Sequence, residues 1–248
     1  MATLFAGRFE ATECVAGTPH WGAFRVIDRE GGLPCVLSVA VPPSDPARLA
    51  RRLGLPAIPG IAPVRHAGPA NLGGADTWIV VEEAPSGAPV RVGVGAAASA
   101  VIGAGLARAV AGLHAAGFAA GGLHPSVLYA HEGRFTGVAP RHVLLVAAAA
   151  TEWRRPIYEP TCFSPERLQA EGPPTPEGDV FAIGTIVAWL ATGVPPFGAS
   201  AMEELRSHLL GVRPAGLPGS LAPALAAAMA PNPADRPSAV ALASLLSD

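Results

Sequence analysis

The spacing of apolar and polar residues divides the chain into a strand-rich first third and a helix-rich remainder. Residues 8–16 partly alternate between polar and apolar side chains, the pattern of a half-buried strand. Further short apolar runs follow, and Gly31-Gly32 between two of them is a hairpin signal. The predicted strands are residues 8–16, 22–30, 33–41, 61–66 and 77–83. A short helix is predicted over residues 45–53, since Asp45 can cap it and Pro46 suits its first turn.

Helical patterns dominate beyond residue 90. An Ala-rich helix is predicted over residues 97–116, with Gly117 directly after its end. Short strands are predicted at 127–130, 134–138 and 142–146, and further helices at 164–170, 180–191, 200–210, 221–230 and 237–246. The segment 180–191 is apolar all round and is therefore predicted to be a buried helix.

Pro85, Gly87 and Pro89 separate the two parts of the chain and predict a boundary there. Strands followed by helices favour an α+β fold class, because the two kinds of element segregate. We expect an N-terminal unit of residues 1–84, a hinge of residues 85–90 and a C-terminal unit of residues 91–248.

Composition and charge narrow the class of protein. The net charge is −2 over 248 residues, so no basic excess points to nucleic acid or to an acidic membrane surface. The apolar segments 97–111 and 180–191 are shorter than the ~20 residues that span a bilayer, and the first carries Arg108. The first residues lack the pattern of a secretory signal. We expect a cytoplasmic protein that binds neither nucleic acid nor membrane.

Cysteine and lysine usage bears on the available chemistry. Cys14, Cys35 and Cys162 have no metal-ligand spacing and are interpreted as small buried hydrophobes, the alternative being a catalytic thiolate. All seventeen basic residues are arginine, and no aspartate lies between Asp76 and Asp179. Chemistry that needs a lysine side chain is therefore unavailable within this chain.

Four short motifs in the last third resemble those of the eukaryotic-like Ser/Thr protein kinases, in the same order. Leu113-His114-Ala115-Ala116-Gly117 resembles the family's L-H-x-x-G further upstream. The resemblance covers nearly the whole chain and implies a two-lobed fold with a small β-rich N-lobe and a larger helical C-lobe. The four motifs are Ser164-Pro165-Glu166, Asp179-Val180-Phe181-Ala182-Ile183-Gly184, Leu190-Ala191-Thr192-Gly193-Val194-Pro195-Pro196-Phe197 and Asn232-Pro233-Ala234-Asp235-Arg236-Pro237-Ser238.

The same resemblance assigns structural roles to three charged residues. It implies that Glu166 pairs with Arg236, tying the end of the activation segment to the C-terminal helices. It also implies that Asp179 accepts hydrogen bonds from backbone N–H groups of the loop that is catalytic in the family.

The positions that carry chemistry in active kinases are changed here. Phosphoryl transfer depends on positioning, charge neutralisation and magnesium. By the resemblance, Ser38 occupies the place of the phosphate-binding lysine, and Leu49 lies near the place of its glutamate partner. Gly122 replaces the catalytic aspartate, Val127 the metal-binding asparagine and Ala139 the metal-binding aspartate. We therefore expect no cofactor, no binding of ATP or Mg²⁺, and no enzymatic activity.

The structural motifs of the family are present, whereas its catalytic residues are replaced. Together these two observations predict a pseudokinase that acts as a scaffold or allosteric regulator. Its partner would be a protein, such as an active kinase or that kinase's substrate. Trp153 and Arg154 are candidate partner contacts, because Trp and Arg are enriched at binding hot spots. An ordinary loop aromatic is the alternative interpretation of Trp153.

Two other functions stay open. A metal-independent sensor of a nucleotide or another small ligand could use backbone groups near residues 80–83, in the cleft between the lobes. An enzyme of different chemistry on the same fold would draw its acid–base groups from the histidines. These are His20, His124, His131 and His142.

Overall fold

The computed structural model describes residues 4–18, 21–40, 54–72, 75–138, 162–169, 173–212, 214 and 216–247. In this part of the chain the architecture is mixed α+β, with two antiparallel sheets and several helices. The larger sheet is formed by the first third of the chain. The helices follow it in sequence, as the segregation of the two patterns predicts.

The larger sheet has six strands in the order β1-β2-β3-β4-β6-β5, and every neighbouring pair is antiparallel. The turn between β3 and β4 is closed by the carbonyl of Asp28, which accepts hydrogen bonds from the N–H groups of Gly31 and Gly32. Gly32 has φ of +65°, a conformation that favours glycine. The strands are β1 Leu4–Phe5, β2 Phe9–Thr18, β3 Trp21–Asp28, β4 Leu33–Ala40, β5 Val64–Leu72 and β6 Ala75–Glu83.

The fourth predicted strand is displaced. It was expected at residues 61–66, whereas β5 covers Val64–Leu72, including Gly68 and Pro69. Pro69 is tolerated because β5 is an edge strand, where one row of backbone groups has no ladder partner. Strand β1 was not predicted, and the helix predicted over residues 45–53 lies outside the described residues.

The helical part is organised around a second, larger hydrophobic core. Gly117 follows the first helix with φ of +78°, as predicted for a residue just past a helix end. The helices are α1 Ala96–Ala115, α2 Pro165–Gln169, α3 Pro176–Thr192, α4 Ala201–Leu209, α5 Ala222–Ala228 and α6 Ala239–Leu245. A small sheet of β7 Ala88–Pro89, β8 Leu128–His131 and β9 Arg134–Val138 packs against α1.

Helix α1 is the centre of this second core. Its small residues allow close approach, and a Cβ added at Gly103 would lie 2.3 Å from Val187 Cγ2 on α3. The helix has twenty residues and is long and apolar enough to cross a membrane. The expectation that the apolar segment 97–111 is too short to span a bilayer therefore underestimated its length. Half of this apolar stretch of α1 is buried within the protein, as in a core helix.

The segment before β5 contacts the helical part. Ile61 forms a parallel bridge with Val138, and the N–H of Val138 donates to the carbonyl of Gly60. Ile61 is buried in the helical core rather than in the separate core of the large sheet. The segment before β5 is thereby fixed against α1 and β9.

Candidate functional site

Asp179 organises the loop that joins α1 to the small sheet. It lies in the first turn of α3, where Thr175 caps the helix by accepting from the N–H of Gly178 at 3.0 Å. Its carboxylate accepts from the backbone N–H groups of Ala120 at 2.7 Å and Gly121 at 2.6 Å. His114 Nε2 lies 2.9 Å from the same carboxylate. Asp179 is only 1% exposed, so its charge is satisfied entirely by the protein.

The loop that Asp179 holds has no polar side chain at residues 122 and 127. Gly121 has φ of +75°, and the resulting turn directs two successive N–H groups to one carboxylate. Gly122 is buried and offers no side chain. Val127 is 1% exposed within the helical core. Its side chain has no ligand atom for Mg²⁺, which prefers oxygen ligands, so this position does not fit a metal site.

The histidines of this region have structural surroundings. His124 caps the short 3₁₀ helix Pro125–Val127 by accepting from the N–H of Ser126 at 3.1 Å. Its ring meets Trp189 edge-on, with centroids 5.2 Å apart. His131 lies at the exposed tip of the hairpin beside Glu132. His20 and His142 lie outside the described residues.

Glu166 and Arg236 form a bidentate ion pair. Arg236 donates from Nη1 to Glu166 Oε1 at 2.7 Å and from Nη2 to Oε2 at 2.9 Å. Its remaining N–H groups donate to the carbonyl oxygens of Ala230, Glu177 and Pro231. The Arg236 side chain is fully buried, and all five of its donor bonds are made within the protein. This residue therefore links α2, α3 and the segment before α6.

Electrostatics favour the charged form of Glu166. Partial burial is the largest single influence and opposes ionisation, but hydrogen bonds from Arg236, from Ser164 and from the backbone, together with the charge of Arg236, outweigh it and hold the pKa of Glu166 below its usual value. Close by, Cys162 adopts φ of +59°, and its N–H donates to Glu204 Oε1 on α4 at 3.2 Å. The chain entering α2 is thus held by Glu204, and α2 itself is held by the Glu166–Arg236 pair.

An aromatic cluster lies beneath the same segment. Phe181 stacks on Phe197 with centroids 5.5 Å apart, and His208 packs against Phe197 at 4.5 Å and Phe181 at 5.4 Å. Burial lowers the pKa of His208 to about 4, although a hydrogen bond with the Phe163 carbonyl opposes the shift. His208 is therefore neutral near pH 7.

The other predicted positions are dispersed or undescribed. Ser38 lies on β4, with its backbone opposite Ala23 on β3 and Val80 on β6. Ala139, Leu49, Trp153 and Arg154 lie outside the described residues. Within the described residues, Asp179 therefore holds the loop that carries Gly122 and Val127.

A cavity of about 260 Å³ lies between this loop and α2. Its walls come from the loop, from the chain entering α2, from the chain entering α3 and from α3 itself. The residues that line it include Leu123, Cys162, Phe163, Ser164, Thr175 and Ala182.

Comparison with known proteins points to kinases over part of the chain. No protein-family model matches the sequence. The serine/threonine-protein kinase PkaA of Streptomyces coelicolor is 41% identical over 91 residues, which is 35% of this chain. The chain is related to a protein kinase over that part. The matched stretch corresponds to 16% of PkaA, so the activity of the whole relative is not transferred by the match.

Several residues of the site were not identified from the sequence. Glu204 and His208 sit within an amphipathic helical pattern that resembles any partly exposed helix, so no local signal marks them. His114 belongs to a quoted motif, but its contact with Asp179 spans 65 residues and depends on the fold.

Proposed function

We propose that this chain is a catalytically inactive protein of the kinase fold, a pseudokinase that binds a protein partner as a scaffold or allosteric regulator. In this proposal residues 1–84 form the N-lobe, residues 85–90 the hinge and residues 91–248 the C-lobe. The partial relationship to PkaA and the antiparallel sheet followed by helices support the fold. In this proposal the protein is cytoplasmic.

One observation carries the proposal. Asp179 and the Glu166–Arg236 pair hold the loop and α2 in position, yet residues 116–127 contain no carboxylate, amide or lysine side chain. Gly122 has no carboxylate to orient a nucleophile, and Val127 is turned into the core. A held loop that has neither a carboxylate at residue 122 nor an amide at residue 127 suits recognition better than phosphoryl transfer.

A transfer assay tests the inactive state. The chain would be incubated with labelled ATP, Mg²⁺ or Mn²⁺ and a general protein substrate. We expect label incorporation no higher than with heat-denatured chain. Incorporation that rises with protein concentration and disappears on replacing ATP by a non-hydrolysable analogue would overturn the proposal.

A second experiment tests partner binding. Partners recovered with the intact chain would be compared with those recovered by Trp153→Ala/Arg154→Ala, with exposed Arg206→Ala on α4 as the control. We expect the double variant to lose a stoichiometric partner that the control retains. Recovery of the same partner by all three proteins would remove Trp153 and Arg154 from the interface.

A further inference from the structure

The cavity beneath α2 is lined mainly by apolar groups, several of which are buried. Leu123 and Cys162 are each 1% exposed, and Ala182 is 6% exposed. Phe163 forms a further wall. The atoms that line an empty space lack dispersion contacts on one side, and protein atoms that filled the space would supply them. An apolar occupant would supply the same contacts.

The two carboxylates at the cavity wall are neutralised inside the protein. Glu166 is paired with Arg236, and Asp179 is saturated by two backbone N–H groups and His114. The Arg167 guanidinium lies 5.8 Å from the Phe163 ring centroid at the edge of the cavity. The polar wall groups that remain include the neutral hydroxyls of Ser164 and Thr175. A neutral ligand therefore matches this lining better than a charged one.

The volume sets the size of the ligand. A dry apolar cavity of about 150 Å³ in another protein holds benzene, which has six carbon atoms. In proportion, a cavity of about 260 Å³ holds a molecule of about ten non-hydrogen atoms.

We propose that this cavity binds a small neutral aromatic molecule of two-ring size, with at most one polar group that meets the Ser164 or Thr175 hydroxyl. The ligand would contact the loop at Leu123 and the chain entering α2 at Cys162 and Phe163 together. Its binding would thereby stabilise the position of α2 against α3. The cavity lining includes neither Gly122 nor Val127, so the proposal does not depend on whether the chain transfers phosphate.

Thermal unfolding with indole and two charged indole derivatives tests the proposal. Indole is neutral, indole-3-carboxylate is an anion and tryptamine is a cation. At ten times its Kd, indole should raise the Tm by about 3 °C, while either charged analogue at the same concentration should raise it by less than about 1 °C. Ala182→Leu fills the cavity and should abolish the indole shift. Equal or larger shifts with the anion, or an indole shift that survives in Ala182→Leu, would overturn the proposal.

A second measurement uses the unmodified chain, so it tests the proposal even if Ala182→Leu does not fold. Alkylation of each cysteine by a small reagent would be followed by peptide mass spectrometry with and without indole. Cys162 lines the cavity, whereas Cys35 lies in the core of the large sheet. At ten times its Kd, indole should slow alkylation of Cys162 about tenfold and leave Cys35 unchanged. No change at Cys162, or the same change at both, would contradict binding in this cavity.

Discussion

Arg236 holds Glu166 with two parallel hydrogen bonds of 2.7 and 2.9 Å, although the two residues are 70 positions apart. Arg236→Ala should lower the free energy of unfolding by about 3–5 kcal/mol, because it leaves the carboxylate without its partner and three carbonyl groups without their donor. Arg236→Lys keeps the charge but not the planar fork and should lose about 2 kcal/mol.

Urea unfolding measures both losses, with exposed Arg206→Ala as the control, expected within about 0.5 kcal/mol of the unmodified chain. If Arg236→Lys matched the unmodified chain, the bidentate geometry would not be the stabilising feature.

Asp179 should determine the order of the loop that it binds. Asp179→Asn keeps the shape but offers one oxygen to the N–H groups of Ala120 and Gly121, so one buried N–H loses its acceptor. We expect a loss of about 1–3 kcal/mol and faster hydrogen exchange at these two amides. Exchange measured by NMR checks this, with the exposed Asp235→Asn as the control. Unchanged exchange at both amides would show that the loop is held by packing alone.

The contact of α1 with α3 depends on Gly103. A Cβ at this position would lie 2.3 Å from Val187 Cγ2, so Gly103→Ala should destabilise the protein by about 1–3 kcal/mol despite the better helix propensity of alanine. Adding Val187→Ala removes the obstructing methyl groups. A double-mutant cycle by urea unfolding should give a favourable coupling of at least about 1 kcal/mol. Simple additivity would mean that the helices separate to relieve the clash.

Lowering the pH from 6.5 towards 4 should lower the free energy of unfolding, because His208 is buried. Burial lowers the pKa of His208 from its ordinary 6.5 to about 4, so the unfolded chain binds the proton more tightly than the folded one. This contribution is fully present above pH 6.5 and is lost as the pH falls towards 4. Allowing for partial solvent exposure, the loss is on the order of 1–2 kcal/mol.

His208→Leu should flatten the dependence of the urea midpoint on pH between 7 and 5. His66, whose pKa is also lowered by burial, adds a slope in the same direction to both proteins. Glu166 contributes only at lower pH, because its pKa is lowered from 4.5 and its stabilisation is lost as that group is protonated. Identical slopes in the two proteins above pH 5 would refute the role assigned to His208.

Local patterns were sufficient for most of the elements. Partial alternation predicted β2, and short apolar runs predicted β3, β4 and β6. The apolar run at 180–191 predicted the buried part of α3, although its polar first turn begins at Pro176. The displaced β5 shows the limit of this reasoning. Gly68 and Pro69 look unlike a strand, and only the edge position in the sheet makes them acceptable.

The candidate site was less predictable, because its contacts join distant positions. The pairing of Glu166 with Arg236 was inferred from a motif resemblance and not from spacing. The cavity depends on four segments that meet only in the folded chain, so no sequence pattern marks it.

Thermal unfolding with millimolar ATP, measured with and without Mg²⁺, tests the central proposal most directly. A ligand at a hundred times its Kd stabilises a protein by about 2.7 kcal/mol, which corresponds to a rise in Tm of about 5–10 °C for a chain of this size. We predict no rise in either condition, because Gly122 and Val127 leave the loop without metal ligands. A rise without Mg²⁺ would favour a metal-independent nucleotide sensor, and a rise that requires Mg²⁺ would contradict the inactive state.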